Sequence, residues 1–268
     1  MQSISGAIVL ITGAAMGMGK LYARLAVAEG ATVVLWDVNA ELLEATAAEL
    51  GPAAHPYVVD ISNTEAIVSA AARVRGEIGD PSIVINNAGI VRGKLFVEHE
   101  HGADIDSTMR INAIAPMHVV REFLPAMIAN PRESRIVNIA SAAGLLSTPR
   151  MSVYSSSKWA LVGWSDSLRL ELAMSGSRQV KVTTVCPSFI TTGMFAGVRA
   201  PRLTPLMDPD VVVDRVWKAM KAGQPMLMLP FMVRVSKLFR GVLPLRAWDY
   251  LAGRVFRVYN AMDAFTGR

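Results

Sequence analysis

Tyr154 and Lys158 stand four residues apart in the stretch VYSSSKWA, residues 153–160. Four residues is one helical turn, so in a helix their side chains are neighbours. A phenol beside an ammonium can do proton chemistry. A free tyrosine titrates near pH 10 and must come down by about three units, about 4 kcal/mol, to exchange a proton with a substrate oxygen near neutrality. An ammonium about 4 Å away, at an effective dielectric near 20, supplies that much. That chemistry would suit Tyr154 as general acid or base with Lys158 as its activator; a buried packing tyrosine and a solvated lysine are the other reading of the pair alone. The pair is weak evidence by itself, because 5 tyrosines and 7 lysines in 268 residues give about 0.13 such pairs by chance.

A second constellation supplies company. An apolar run leads into TGAAMGMG, residues 12–19, and a helical pattern begins near Lys20. Gly13 permits a tight turn, while Gly17 and Gly19 let a pyrophosphate approach backbone N–H groups at a helix start, with Met18 between them. Asp37 closes the next apolar run. A carboxylate there accepts hydrogen bonds from ribose hydroxyls and repels a 2′-phosphate, and no Lys or Arg at 14–18 or 38 would welcome that phosphate. The cofactor expected is NAD. Asp37 could also be a surface turn residue or a helix N-cap.

These residues need a frame, and the chain shows one. Short apolar, β-branched runs recur at 7–11, 31–36, 56–60, 82–86, 135–140, 181–186 and 225–229, with amphipathic helical stretches between them. Runs without polar alternation are strands covered on both faces. The pattern predicts an α/β, doubly wound (Rossmann-type) parallel sheet of about seven strands with helices on both faces, in a single domain spanning 1–268. Residues 187–208, rich in Pro, Gly and Thr, read as a substrate flap, and 230–268 as an amphipathic basic C-terminal extension.

Composition removes other classes. The net charge of +5 is confined to the tail: residues 221–268 hold 8 Lys+Arg and 2 Asp+Glu, and residues 1–220 hold 19 basic and 20 acidic groups. No nucleic-acid partner is expected. Cys186 is the lone cysteine and reads as packing, not as a nucleophile. His99 and His101 flank Glu100 and could in principle hold a metal; a polar surface loop is the alternative, and no metal site is expected. The start MQSISGAIVLITG lacks a secretory pattern and no run of 18 apolar residues occurs, so a cytoplasmic protein is expected.

Taken jointly, TGAAMGMG, Asp60, NNAG at 86–89, Asn112, Ser141, YSSSK at 154–158 and PSFITT at 187–192 resemble the short-chain dehydrogenase/reductase family over about residues 6–230. The resemblance implies catalytic roles for Asn112, Ser141, Tyr154 and Lys158, with Ser141 on the substrate oxygen and Lys158 also on the nicotinamide ribose. It implies Asp60, Ile61, Asn87 and Ala88 on the adenosine side and Ile190 and Thr192 near the carboxamide. In the family the backbone carbonyl at the position of Asn112 binds a relay water. Pro116, four residues later and without an N–H, would free that carbonyl in a regular helix; a merely kinked core helix is the other reading. One departure stands out: where the family usually has Gly after Pro187 this chain has Ser188, which leaves the loop path open.

VVLWDVN, NNAGIV, FLPAMI, ASAAG and the long C-terminus resemble the branch with hydroxysteroid and retinol dehydrogenases. With Phe189, Met194, Phe195, Val198, Leu203, Leu206 and Met207 on the flap, the expected substrate is a lipophilic alcohol or ketone, unless those side chains simply pack on the protein. A homotetramer or homodimer is expected, with helices near 103–129 and 151–175 in contact. In the extension, Phe231, Val235, Leu238 and Val242 form one apolar stripe and Trp248, Leu251, Val255, Tyr259 and Met262 a second, each beside basic residues. Peripheral membrane contact through 231–268 and a roof over the pocket both fit. A non-catalytic dinucleotide sensor and a membrane-surface scaffold are the competing functions.

Overall fold

The computed structural model describes residues 1, 3–202 and 204–267. Seven parallel strands form one sheet: β1 (Ile8–Thr12), β2 (Thr32–Asp37), β3 (Ala54–Val58), β4 (Ile83–Asn86), β5 (Ser134–Ile139), β6 (Val180–Pro187) and β7 (Met226–Leu229). Their order is β3-β2-β1-β4-β5-β6-β7. Each apolar run of the sequence is a strand, displaced by no more than two residues. The helices are α1 (Gly17–Ala28), α2 (Ala40–Leu50), α3 (Thr64–Glu77), α4 (Ser107–Met109), α5 (Ala115–Ala129), α6 (Ser152–Met174), α7 (Pro209–Ala222), α8 (Phe231–Val242) and α9 (Leu245–Tyr250).

Side chains alternate across the sheet into two cores, because successive residues of a strand point to opposite faces. Val9, Ile11, Val33 and Leu35 pack with Tyr22 of α1, Leu43 of α2 and Val213 of α7. Leu10, Val34 and Trp36 pack with Ile67 of α3, Phe123 of α5 and Leu168 of α6. Both faces being sealed, the sheet opens only at its carboxyl edge. The strand order reverses between β1 and β4, and a cleft forms at that switch point.

Three departures from the sequence reading have local causes. The segment before α5 widens into π-type turns at His101–Asp106 and Arg110–Ile114. Pro116 has no N–H for the carbonyl of Asn112, which disfavours regular α bonding just there. His99 is no surface residue; its ring is buried, with Nδ1 3.7 Å from the Asp104 carboxylate. The flap is tied at its base, where Ile190 bridges Met207, Thr191 N–H donates to the Met207 carbonyl at 3.0 Å and Met207 N–H to Phe189 at 2.9 Å. Leu203 lies outside the described residues.

A buried polar chain links the central strands: Asn86 Nδ2 donates to Asn138 Oδ1 at 2.8 Å, and Asn138 Nδ2 donates to Ser165 Oγ of α6 at 2.8 Å. Asn138→Ala strands the Asn86 amide without an acceptor, at a cost of about 1–3 kcal/mol. Urea unfolding should show a lower midpoint with an unchanged slope; a midpoint equal to wild type would show that the chain contributes nothing.

Candidate active site

The two strand ends at the switch point are sewn together. Thr12 Oγ1 accepts from the N–H groups of Asn87 and Ala88, both at 3.1 Å, and Asn87 Nδ2 donates to the carbonyls of Thr12 and Gly13, both at 3.0 Å. This brings the backbones so close that a Cβ on Gly13, at φ 65°, would lie 2.8 Å from Ala88 Cα. A Cβ on Gly19 would strike the Gly13 carbonyl. Glycine is required at both places. The N-cap of α1, Met16, makes no side-chain cap, and no acidic residue occupies the first turn, so the unsatisfied N–H groups there remain available to an anion.

A cleft of about 680 Å³ runs from this turn to the start of α6. Gly13, Gly17, Met18, Asp37, Asp60, Ile61, Asn87, Ala88, Ser141, Tyr154, Lys158, Ile190 and Thr192 all line it. Gly19 and Asn112 stand behind the wall. Gly19 is buried against the glycine turn and works through close packing, so it is not a lining residue. Asn112 is fully buried: its Oδ1 accepts from Ile90 N–H at 2.8 Å, and its Nδ2 donates to the Ile90 carbonyl at 2.8 Å and to Ser157 Oγ at 3.1 Å. Its side chain therefore fastens the loop after β4 to α6. Asp37 is also partly occupied, since Oδ2 accepts from Ala15 N–H and Oδ1 from Asn39 N–H, each at 3.0 Å. The carboxylate orients the glycine turn and also lines the cleft.

Tyr154 and Lys158 lie one turn apart on α6, both 4 % exposed. Their relation differs from the expected close pair. Lys158 Nζ donates to the Ile139 carbonyl at 2.9 Å and sits 5.7 Å from the centre of the Tyr154 ring. Burial pushes the Tyr154 phenol up to about 12, against the pull of the nearby Ser141 hydroxyl. Burial likewise pushes Lys158 down to about 8. The expected depression of the phenol by the ammonium is thus absent from this arrangement, because desolvation penalises both charged forms. Burial also raises the Cys186 thiol to about 12, which keeps it neutral and inert.

Ser141 opens the loop after β5, its Oγ accepting from Ala143 N–H at 3.1 Å. Ser188 creates no backbone strain: among the described residues only Arg150 and Arg257 combine a side chain with positive φ, and Ser188 N–H pairs with the Leu229 carbonyl at 2.7 Å. On the far side of Tyr154, Phe195 stands edge-on with ring centres 6.1 Å apart, and Phe189 meets Phe195 at 5.3 Å. Val91, Val198, Ala261 and Met262 complete this apolar enclosure.

Sequence reasoning passed over Thr12, Ser157, Arg92 and Asn138. Thr12 carried a signal, as a hydroxyl at the strand end before a glycine turn. Ser157 did not, because its partners, the Asn112 amide and the Tyr154 carbonyl that it donates to at 2.7 Å, are known only from the packed helix. Arg92 lines the cleft from the loop after β4 and reaches Asp104 at 3.4 Å.

Sheet order, switch-point cleft and glycine turn define a dinucleotide-binding type of α/β fold. The chain belongs to the short chain dehydrogenase family, whose model matches residues 7–203. Within it the chain falls in the hydroxysteroid and retinol dehydrogenase group. It is 39 % identical to estradiol 17-beta-dehydrogenase 11 of Pongo abelii over 98 % of this chain and 88 % of that one. It is 37 % identical to epidermal retinol dehydrogenase 2 of Mus musculus over 100 % of this chain and 87 % of that one. The crystal structure of a short chain dehydrogenase/reductase from Burkholderia phymatum in complex with NAD superposes with a TM-score of 0.81, covering 90 % of this chain and 95 % of that one at 24 % identity. The chain is an oxidoreductase of this family.

The buried lysine has a stability signature. Its folded value of about 8 lies below the ordinary 10.5, so between those pH values the unfolded chain binds the extra proton and folding becomes more favourable as pH rises. Relative to the uncharged variant Lys158→Met, wild type should gain stability from pH 8 to 10.5, by up to about 3 kcal/mol, and show a constant difference below pH 7. Paired thermal melts across this range check it; parallel curves would place the ammonium in water.

Proposed function

We propose that this chain is an NAD(H)-dependent oxidoreductase that interconverts a hydrophobic secondary alcohol and its ketone, with Tyr154 as general acid/base. The observation that carries the reading is the shared cleft: the glycine turn and Asp37 at one end, Ser141, Tyr154 and an aromatic wall at the other. The nicotinamide, when bound, supplies the hydride donor or acceptor. Gly13, Gly17 and Met18 would hold its pyrophosphate, Asp37 the adenosine ribose, and Asp60, Ile61, Asn87 and Ala88 the adenine side. Ile190 and Thr192 would meet the carboxamide, and Lys158 the second ribose.

The chain's own residues account for the proton. As a ketone becomes an alkoxide, Ser141 Oγ donates a hydrogen bond to its oxygen and Tyr154 Oη transfers a proton to it. A phenol held near 12 is fully protonated at neutral pH, which is the form that ketone reduction needs. Asn112 positions α6 through Ser157. The apolar enclosure around Tyr154 selects for a lipophilic substrate, in keeping with relatives named for estradiol and retinol. Exposed Trp159, Leu170 and Met174 on α6 and Ile114 and Ile128 around α5 support a homodimer or homotetramer assembled through these helices. Among the described residues no helix is long and apolar enough to cross a membrane; the reading is a cytoplasmic protein with peripheral membrane contact.

NADH oxidation with ketones of graded size tests the activity. Tyr154→Phe should lower turnover more than 100-fold while NADH affinity stays nearly unchanged, since it removes one proton and little binding surface. A variant retaining more than about a hundredth of wild-type rate would refute the role.

Asp37→Ala should weaken NADH binding and narrow the gap to NADPH, because a ribose acceptor and a phosphate repellent disappear together. Fluorescence titration with both cofactors measures this, and a wild-type preference for NADPH would overturn the choice of NAD.

A further inference from the structure

Four charged side chains line the cleft: Asp37, Asp60, Arg92 and Lys158. In the reading above the two carboxylates serve the adenosine end and the lysine the nicotinamide ribose, which leaves Arg92 without a task. Nor does the fold use it up. Its side chain is 36 % exposed and its Nε stands 3.4 Å from Asp104 Oδ1, long for a charge-assisted hydrogen bond. Asp104 Oδ2 already accepts from Lys94 Nζ at 2.7 Å and from Glu100 N–H at 2.9 Å. Those two contacts hold the Asp104 carboxyl below the usual range and keep it ionised, so Lys94 balances its charge. Glu98, Glu100 and Asp106 are exposed and lie outside the cleft wall. A guanidinium carries its N–H donors in a fixed fork, and among the described residues those of Arg92 make no hydrogen bond.

Its neighbours in the chain place Arg92 beside the apolar enclosure. Val91, one residue before, is buried with Tyr154, Val198 and Met262. Gly93, one residue after, packs so closely that a Cβ there would strike Met262 and the Phe265 ring. The glycine turn proposed for the pyrophosphate lies elsewhere, at the start of α1. Arg92 thus borders the enclosure around Tyr154 while its own side chain lines the cleft.

We propose that Arg92 selects substrates bearing a carboxylate: an apolar body fills the enclosure of Phe189, Phe195 and Met262, and an acid group at its end takes the guanidinium fork. A planar carboxylate accepts two parallel hydrogen bonds from such a fork. One negative charge also matches one unused cation, whereas a phosphate monoester would bring a second charge against the ionised Asp104. Partial burial sharpens the choice, because an ester of the same body offers the guanidinium neither charge nor two equivalent acceptors. The assignment rests on the alcohol and ketone interconversion proposed above and narrows its substrate from a lipophilic molecule to an amphiphilic one.

Methyl ketones carrying a terminal carboxylate, from hexanoate to dodecanoate in length, and the methyl esters of the same acids test this by rates of NADH oxidation. At the favoured length wild type should show a kcat/KM for the acid about tenfold or more above that for the ester. In R92Q the ratio should fall to about one, mainly through KM of the acid, and in R92K it should recover in part, since the charge returns without the fork. A wild-type ratio of about one at every length would overturn the proposal. So would R92Q lowering both rates alike with the ratio unchanged, the mark of a residue that only holds the Asp104 loop. R92Q weakening NADH binding in fluorescence titration at an unchanged ratio would overturn it too, as the mark of a pyrophosphate ligand. If no ketone is turned over in either form, the reaction proposed above fails by itself, and calorimetry then decides for Arg92. Wild type should bind dodecanoate about tenfold or more tighter than R92Q does, and equal affinities would overturn the site.

Discussion

The tie between the ends of β1 and β4 is the constraint on which the rest depends. A parallel sheet sealed on both faces by helices has no room for a ligand except where neighbouring strands send their connections in opposite directions. Thr12 and Asn87 hold that point at backbone distance, and the close approach admits no Cβ at Gly13. The start of α1, the carboxylate of Asp37 and the loop after β4 all take their positions from it. Asn112 then carries the order outward, since its side chain bonds both Ile90 and Ser157 and so registers α6 against the switch point.

Burial sets the chemistry as well as the shape. Tyr154 and Lys158 are taken out of water together, and each becomes harder to charge: the phenol is held as an acid and the amine is less firmly an ammonium. A carbonyl of β5, Ile139, holds the amine. The aromatic ring of Phe195 stands edge-on to the phenol ring. Dry surroundings strengthen each hydrogen bond made there. The same dryness costs folding free energy, as active sites commonly do.

The C-terminal extension divides its labour by helix face. Inward-facing Val233, Trp248, Ala252 and Met262 complete the apolar packing beside the Ser141 loop and around Tyr154. Outward-facing Phe231, Leu238 and Val242 remain exposed. The two faces of the amphipathic sequence thus separate in the fold, one packed on the body of the protein and one exposed.

Much of this was legible in the sequence. The central strands, buried on both faces, are largely apolar and announced themselves, and the half-buried edge strands β3 and β7 kept enough apolar residues to be seen as well. Glycines at a backbone contact or at positive φ are hard to replace, so Gly13 and Gly19, at a contact, and Gly17, at φ 53°, stood out, as did Asp37 at its strand end. The Tyr154 and Lys158 pair was visible because helical spacing is a local property. What local spacing could not carry was the relation of either group to the rest of the fold: that Lys158 is held by Ile139, nineteen residues away, that Asn112 binds through its side chain to Ser157, that His99 is buried, or which stripe of α8 faces outward. Local periodicity follows from covalent geometry and is written residue by residue. Solvation, and with it the charge state of a buried pair, depends on which distant segments exclude the water, and only the tertiary structure decides that.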